Sequence, residues 1–459
     1  MTGEYKEAIS FLNEKLVLNP NSRAALSLLG YCYFYSQDFV NASGCYEQLL
    51  QLFPDVDEYK MHYAQSLYQS CAYEDAMKAT LQMEDSPLQV KSDVLKLQAA
   101  IKYAEDDLPA SRGLIDQIDG QSDLSNKEVN LGCILLKEEA HFDEALEKFT
   151  SALQIEGYQP DLSYNIALCY YRMKQYPQAM KHIGDIIEHG IREHPELSVG
   201  MTTEGIDVRS VGNTITLHET ALVEAFNLKA AIEYQMKNME AALEALTDMP
   251  PRSEEELDPV TLHNHALMSM DTEPTEGFEK LQFLIQQNPF PPETFSNLLL
   301  LYCKYQYFDL AADVMAENAH FTYKYLSPYL YEFLDALITQ QTSPEDAYRK
   351  FDEMATKHTD ILRKLIKQIQ DGKQSNQTED SAIKKLTAEY EETLELYIPV
   401  LMAQAKIYWD MESYQQVEKV FRKSVEFCND NDIWKVSFPS MLCLYIVLDV
   451  LCQGWDSRR

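Results

Sequence analysis

Glycine is scarce in this chain of 459 residues, and proline is only modestly represented. The sequence contains 15 glycines and 18 prolines. An all-β chain of this length would need many more turn residues, so the composition favours helices. Apolar residues make up 46% of the chain, which excludes wholesale disorder.

Positive charge is also in short supply. The chain has 39 lysines and arginines against 73 aspartates and glutamates, a formal net charge of −34. Nucleic-acid binding needs a positive footprint against the phosphates, so a nucleic-acid partner is excluded. An anionic membrane surface is disfavoured for the same reason. The simplest interpretation of the excess of acidic residues is that it keeps the protein soluble.

Long apolar runs and paired cysteines are missing as well. No stretch of about eighteen uncharged apolar residues occurs, so the sequence predicts no membrane span. The first residues show no basic region followed by an apolar stretch, the pattern of a secretory signal. The nine cysteines are dispersed without a CxxC pair. We therefore expect a reducing compartment and free, mostly buried thiols.

The motifs of common catalytic sites are absent. The sequence has no GxGxxG, Walker, HExxH or GxSxG pattern. His218 and Glu219 begin a zincin-like string, but Leu222 stands where the second histidine should be. We interpret His263 and His265 as surface or core residues rather than metal ligands. The sequence therefore predicts a protein that is not an enzyme and has no cofactor or metal.

Self-similarity at a fixed period is the most informative feature. Ala8, Ala42, Ala76 and Ala110 follow one another at intervals of 34 residues. Ala145 and Ala179 keep the same interval. A period of this length is typical of a solenoid built from short repeats.

One window identifies the repeat type. Gly30 and Ala42 occupy the positions where two paired helices cross closely, and Tyr33 and Tyr46 fill the space beside that crossing. Pro54 ends the second helix. This is the tetratricopeptide pattern, so we predict an all-α tetratricopeptide-repeat solenoid that winds as a right-handed superhelix with a concave groove.

Breaks in the period divide the chain into segments. We expect tetratricopeptide repeats over 1–187 and 223–435, separated by an ordered, non-helical insertion at 188–222 that includes Ile206, Val208, Val211 and Ile215. A polar stretch at 371–380 predicts a mobile loop. Residues 436–459 form an atypical apolar tail.

In this repeat class the first helix of each pair lines the concave groove. The corresponding positions here are mostly aromatic or apolar, and the candidate groove residues are Tyr31, Phe34, Tyr35, Met61, Tyr68, Tyr164, Leu168, Tyr171, Tyr234, Met402 and Trp409. Rigid aromatic side chains with a polar tip suit recognition of an extended, proline-rich segment. The alternative, that these residues pack within and between repeats, stays open for each position.

A co-chaperone adaptor is a second interpretation. Such adaptors hold an acidic C-terminal tail with lysines and asparagines at the fifth position of the first helix. Those positions here are Ser27, Met61, Tyr164, Asn227, Ser296 and Met402, without a lysine. A third interpretation, an enzyme or activating subunit for tubulin glutamylation, lacks a visible nucleotide site.

Five strings carry a narrower resemblance. They span Gly157 to Asn165, His194 to Asn213, Leu257 to Asn264, Asn288 to Thr294, and Val417 to Lys435. They resemble the tetratricopeptide subunit of intraflagellar transport complex B, the tetratricopeptide repeat protein thirty family. The resemblance covers residues 1–435, and compared with that family the chain looks shortened at both ends.

The resemblance implies a ciliary scaffold that wraps around a proline-rich segment of intraflagellar transport protein fifty-two, a core subunit of the complex. It also implies roles in cilium assembly and anterograde transport, and links to kinesin-driven cargo machinery and to polyglutamylation of axonemal tubulin. The implied locations are the axoneme and base of the cilium, and the cytoplasm.

Overall fold

The fold consists of helices that follow one another closely along the chain. The computed structural model describes residues 5–83, 88–118, 124–138, 141–200, 210–287, 290–374, 380–428 and Trp434. Within these ranges every regular element is helical. Two short 3-10 helices, Pro195–Leu197 and Glu254–Glu256, accompany the α-helices.

The described residues form two compact units. The first contains residues up to Asp271 together with Gln287, and the second contains 272–286 and the residues from Phe290 onward. The helices of the first unit are α1 (Tyr5–Leu18), α2 (Arg23–Tyr35), α3 (Phe39–Leu52), α4 (Asp57–Gln69), α5 (Tyr73–Leu81), α6 (Leu88–Ala104), α7 (Leu108–Asp116), α8 (Leu124–Lys137), α9 (Phe142–Glu156), α10 (Pro160–Arg172), α11 (Tyr176–Glu193), α12 (Ile215–Glu219), α13 (Leu222–Gln235), α14 (Met239–Thr247) and α15 (Pro259–Ser269). Those of the second unit are α16 (Pro274–Ile285), α17 (Glu293–Lys304), α18 (Phe308–Glu317), α19 (Ala319–Tyr325), α20 (Pro328–Thr342), α21 (Pro344–Gln374), α22 (Asp380–Asp410) and α23 (Tyr414–Cys428).

Each helix packs mainly on its neighbours in the chain. In the first unit α2 packs on α3, α3 on α4 and α4 on α5, and this order continues to α11. In the second unit α20, α21, α22 and α23 pack in the same sequential way. A stack in which every element contacts only its neighbours is a solenoid. The structure is a tetratricopeptide-repeat solenoid.

One turn geometry recurs between the first and second helices of several repeats. In the turn after α2, the Gln37 amide donates a hydrogen bond to the Phe34 carbonyl, and the Asp38 amide donates one to the Tyr33 carbonyl. This is a Schellman turn, which leaves one residue in the left-handed region. Among the described residues the left-handed position recurs seven times without a glycine, at Gln37, Cys71, Asp106, Lys174, Lys237, Gln306 and Glu412.

The helix that follows such a turn has its own start signal. The Asp38 carboxylate accepts from the Asn41 amide, and Asp107 and Asn238 do the same for Ala110 and Ala241. These side chains satisfy amides that have no partner within the helix. Turn and cap together reverse the chain in the few residues between the paired helices.

Small residues sit where the paired helices cross. Ala42, Ala76, Ala145, Ala179 and Ala242 are fully buried, as the period predicts. A Cβ on Gly30 would lie 3.0 Å from the Tyr46 ring, so this crossing needs a residue without a side chain. In the third repeat Ser111 takes the buried position instead of Ala110, because that repeat is one residue longer than the period.

The two breaks in the period take a different form from the expected one. The helix α11 continues to Glu193 and Ile215 begins α12, so both ends of the expected non-helical insertion at 188–222 are helical. Helices also enter both ends of the polar stretch at 371–380, since α21 continues to Gln374 and α22 starts at Asp380. Ile206, Val208, residues 375–379 and the tail 436–459 lie outside the described residues. The division into segments stays a prediction.

None of the described helices combines the length and the apolarity that a membrane-crossing helix needs.

Candidate partner-binding surface

The candidate groove residues lie on first helices but differ in exposure. Tyr31, Tyr35 and Trp409 expose 43%, 37% and 42% of their surface. Five others are partly buried: Phe34, Met61, Tyr68, Tyr171 and Tyr234. Tyr164, Leu168 and Met402 are buried. The first helices therefore expose only a subset of the predicted residues to solvent.

The most open aromatic group lies on α2. The Tyr31 and Tyr35 rings stand one helical turn apart with centroids 4.4 Å from each other. Phe34 packs edge-on against Tyr35 at 5.6 Å. We call Tyr31, Phe34 and Tyr35 the aromatic platform. Because the rings support one another, they offer a partner a large contact area that is already ordered.

Three predicted groove residues belong to the core instead. Tyr164 and Leu168 pack in a cluster with Ala225 and Leu228 of α13, which is the next first helix. Ala221, the residue before α13, belongs to the same cluster. The side chains of Ala221 and Ala225 are small, so α13 packs closely against α10 and covers Tyr164 and Leu168. Met402 is likewise 3% exposed within the second unit. For these three positions the open-groove prediction is wrong.

Several of the remaining aromatics also pack on their own turn. Ring pairs join the end of a first helix to the first residue of the second helix, five positions later. The pairs are Phe34 with Phe39, Tyr68 with Tyr73, Tyr171 with Tyr176, and Trp409 with Tyr414. The second residue of each pair was not predicted from the sequence. The signal that could have identified it is an aromatic residue five positions after an aromatic residue of the first helix.

A cavity of about 320 Å³ opens between the first helices α4 and α6. Met61 and Leu97 form apolar walls, and Gln65, Asp93 and Lys96 line it with polar groups. The Lys96 ammonium lies 3.6 Å from the Asp93 carboxylate. Apolar walls with a few polar groups are typical of a site for one side chain of a bound segment. Of these residues the sequence indicated Met61 alone.

The starts of α10 and α13 carry carboxylates in unfavourable surroundings. Burial raises the pKa of Asp161 above its ordinary value. Burial also raises the pKa of Glu224, and the charges of Asp258 and Asp161 add to the effect while Arg252 opposes it. The charge of Asp161 on α10 thus opposes ionisation of Glu224 on α13.

The described part of the insertion is fastened to the connection between α14 and α15. The Val211 amide donates to the Pro251 carbonyl at 2.9 Å, and the Gly200 amide donates to the Asp248 carbonyl at the same distance. The Ser210 hydroxyl donates to the Glu256 carboxylate at 2.5 Å. We call these contacts the insertion clasp. At the far end of the insertion, His218 of α12 contacts the side chain of Gln37 in the first repeat turn.

Asn227, the one asparagine at a fifth position, is used inside the protein. It is 3% exposed, its amide donates to the Thr261 hydroxyl at 2.9 Å, and it accepts from Asn264 at 2.6 Å. An asparagine committed to these bonds is not available to hold a peptide tail. His263, in the same helix as Asn264, is also buried, and burial lowers its pKa to about 4.

Two family models match the chain. The one described as Intraflagellar transport protein 70 C-terminal domain matches residues 294–445, and the one described as Intraflagellar transport protein 56 matches residues 26–204. Among solved structures, a tetratricopeptide repeat protein from Parabacteroides merdae is 16% identical with a TM-score of 0.35, over 66% of this chain and 99% of that one. The crystal structure of MamA gives 15% and 0.29, over 36% and 97%. These scores are too low to support a structural inference.

Curated relatives match nearly the whole chain. Intraflagellar transport protein 70A of Xenopus tropicalis is 66% identical over 438 residues, which are 95% of this chain and 66% of the relative. Intraflagellar transport protein 70A of Danio rerio is 63% identical, over 96% and 66%. Intraflagellar transport protein 70B of Homo sapiens is 62% identical, over 95% and 66%. The chain thus spans 66% of the length of these relatives. Its identity to them shows that it belongs to the intraflagellar transport protein 70 family of tetratricopeptide-repeat proteins.

Proposed function

We propose that this chain is a non-catalytic scaffold subunit of the intraflagellar transport B complex. The family supports the complex, and the aromatic platform on α2 supports binding through the first helices. The proposed partner is a proline-rich segment of intraflagellar transport protein fifty-two. Such a segment arrives already extended, so docking it on rigid aromatic rings costs little conformational entropy.

The wider role follows from membership in a transport complex. We propose that the chain works in cilium assembly and anterograde transport, at the axoneme and the base of the cilium, with a cytoplasmic pool. We also propose that it links the complex to kinesin-driven cargo and to the machinery that polyglutamylates axonemal tubulin. The co-chaperone alternative is not favoured, because the relatives are intraflagellar transport proteins and Asn227 is buried.

The aromatic platform carries the proposal, and its substitution tests it. Tyr31→Ala combined with Tyr35→Ala should weaken capture of the proline-rich segment at least about tenfold, since two exposed rings that cover the segment are lost. Helicity should stay unchanged, because both rings face water. The measurement is co-expression with the segment, followed by size-exclusion chromatography with light scattering and by titration of the segment into each variant.

Two variants serve as controls. Tyr323→Ala removes a tyrosine that is 87% exposed on α19 and is not part of the aromatic platform, so it should bind as the unsubstituted chain does. Tyr164→Ala removes a core residue and should lower the melting temperature. A platform variant that still captures the segment at full strength would refute binding at this surface. If the unsubstituted chain is soluble and helical but does not bind the segment, the proposed partner is wrong.

A further inference from the structure

An open apolar groove lies on α11, which is a second helix and not part of the first-helix surface. The cavity measures about 520 Å³. Met180, Ile183, Ile187 and Ile191 form its apolar wall along one face of α11. Ile191 is 46% exposed. Ile183 is buried in the core at the base of the groove, and Met180 and Ile187 are partly buried beside it. An apolar stripe along one helix face that reaches the surface in this way is typical of a surface that receives another helix.

The groove exists because a glycine occupies its floor. Gly184 lies in the middle of the stripe, and a Cβ built on it would meet no atom within 4 Å. Counted from the buried alanine of each second helix, the same position holds Glu47, Leu81, Thr150 and Thr247 elsewhere. A glycine inside a helix lowers the stability of the helix relative to alanine. No neighbouring atom within the protein requires a glycine at this position.

The charges beside the groove differ from those of the chain as a whole. Arg192 and Lys229 line the groove together with a single carboxylate, Glu188. The Lys229 side chain comes from α13, is partly buried, and holds its ammonium 6.0 Å from the centre of the Phe226 ring. The Arg192 guanidinium also lies 3.8 Å from the Glu193 carboxylate on the same helix. In a chain with a net charge of −34, Lys229 beside the apolar wall is the main attraction for a carboxylate of a partner, and Arg192 adds to it.

We propose that this groove docks an amphipathic helix of a partner protein that carries acidic residues beside its apolar face. A large apolar side chain of that helix fills the space above Gly184, and its carboxylates pair with Lys229 and Arg192. Helix-in-groove recognition uses such anchors at helical spacing. Its apolar wall belongs to α11 and not to the aromatic platform on α2, so the scaffold would hold two partner segments at once.

The test uses the full chain and two fluorescein-labelled peptides. Both peptides form an amphipathic helix with leucines and one tryptophan on the apolar face, and their flanks carry either glutamates or lysines. Fluorescence anisotropy should show saturable binding of the acidic peptide and at least about tenfold weaker binding of the basic one. Lys229→Glu should reduce or reverse this preference.

Gly184→Gln is the decisive variant. The new side chain meets no atom at its Cβ, so the fold should be retained and the melting temperature kept or raised. It fills the groove, and binding of the acidic peptide should be lost. Gly113→Gln is the matched control, because Gly113 is also an exposed helical glycine without a neighbour within 4 Å. This control should bind the acidic peptide normally.

Several results would overturn the proposal. They are equal affinity for the two peptides, full binding by Gly184→Gln, or no saturable binding below about 0.5 mM. Light scattering that shows dimers lost in Gly184→Gln would assign the groove to a second copy of this chain instead. Capture of the proline-rich segment by Gly184→Gln should remain intact, so failure here is distinguishable from failure of the proposed function.

Discussion

At the scale of single residues, the left-handed position in the repeat turns is the least expected feature. Glycine is the usual residue there, because other L-residues lose roughly 1–2 kcal/mol in that conformation. This chain uses glutamine, cysteine, aspartate, lysine and glutamate instead. Its low glycine content is therefore compatible with tight turns, and each of these turns carries a local cost that a glycine would relieve.

We expect Glu412→Gly to stabilise the second unit. Glu412 has φ 55° in the turn between α22 and α23, so glycine removes the strain of a Cβ and should add up to about 1 kcal/mol, less the entropy that glycine gains in the unfolded chain. Chemical denaturation measures the change. Glu412→Ala keeps the Cβ and should show no such gain. Equal effects of the two substitutions would contradict this explanation.

Two helical glycines give opposite expectations for the same substitution. A Cβ on Gly132 would lie 2.8 Å from the ring of Phe149, which is fully buried. Gly132→Ala should therefore destabilise the protein by about 1–3 kcal/mol. Gly113 has open space around it, and Gly113→Ala should stabilise by about 0.5–1 kcal/mol. Thermal unfolding of both variants decides the matter, and a shift of the same sign in both would contradict the packing argument.

At the scale of elements, the insertion clasp depends on one carboxylate. Hydrogen bonds from Ser210 and Ser253 lower the pKa of Glu256 below its ordinary value of 4.5, and the charge of Lys6 contributes. A carboxyl group with a lowered folded pKa stabilises the folded state above its ordinary pKa. That contribution is lost as the pH falls through the lowered value.

Protection of the Val211 amide reports on the clasp. This amide donates to Pro251, so its hydrogen-exchange protection should persist at neutral pH and fall once the pH drops below 4.5, the ordinary pKa of the group. Glu256→Gln should lose protection already at neutral pH. Glu255→Gln, a change on the exposed neighbour, is the control. Protection that ignores both the pH and the Glu256 substitution would show that the clasp does not hold the insertion.

The packing of the helices separates the features that the sequence predicts from those that it does not. The periodic alanines and the crossing at Gly30 with Tyr46 were predictable, because they depend on spacing within one repeat. The burial of Tyr164 and Leu168 was not, because it depends on how closely the next first helix, α13, approaches. The cavity beside Met61 was missed for the same reason, since Leu97 and Asp93 belong to another helix.

At the scale of the whole molecule, the charge of −34 opposes the folded state through self-repulsion. Raising the ionic strength from about 20 mM to about 300 mM shortens the Debye length several-fold. The melting temperature should therefore rise by a few degrees. Scanning calorimetry in chloride and in glutamate salts should give the same rise, because the effect depends on ionic strength. A melting temperature that falls with salt would show that the ion pairs outweigh the repulsion.

By itself the sequence determined the repeat period, the helical class and the small residues at the crossings. These features depend on residues that are close together in the chain, so their spacing is enough to predict them. Only the tertiary structure decided which aromatics face water, where the groove above Gly184 opens and what fastens the insertion. Each of those depends on side chains that different helices bring together, because burial and open space are set by neighbours that are distant in the sequence.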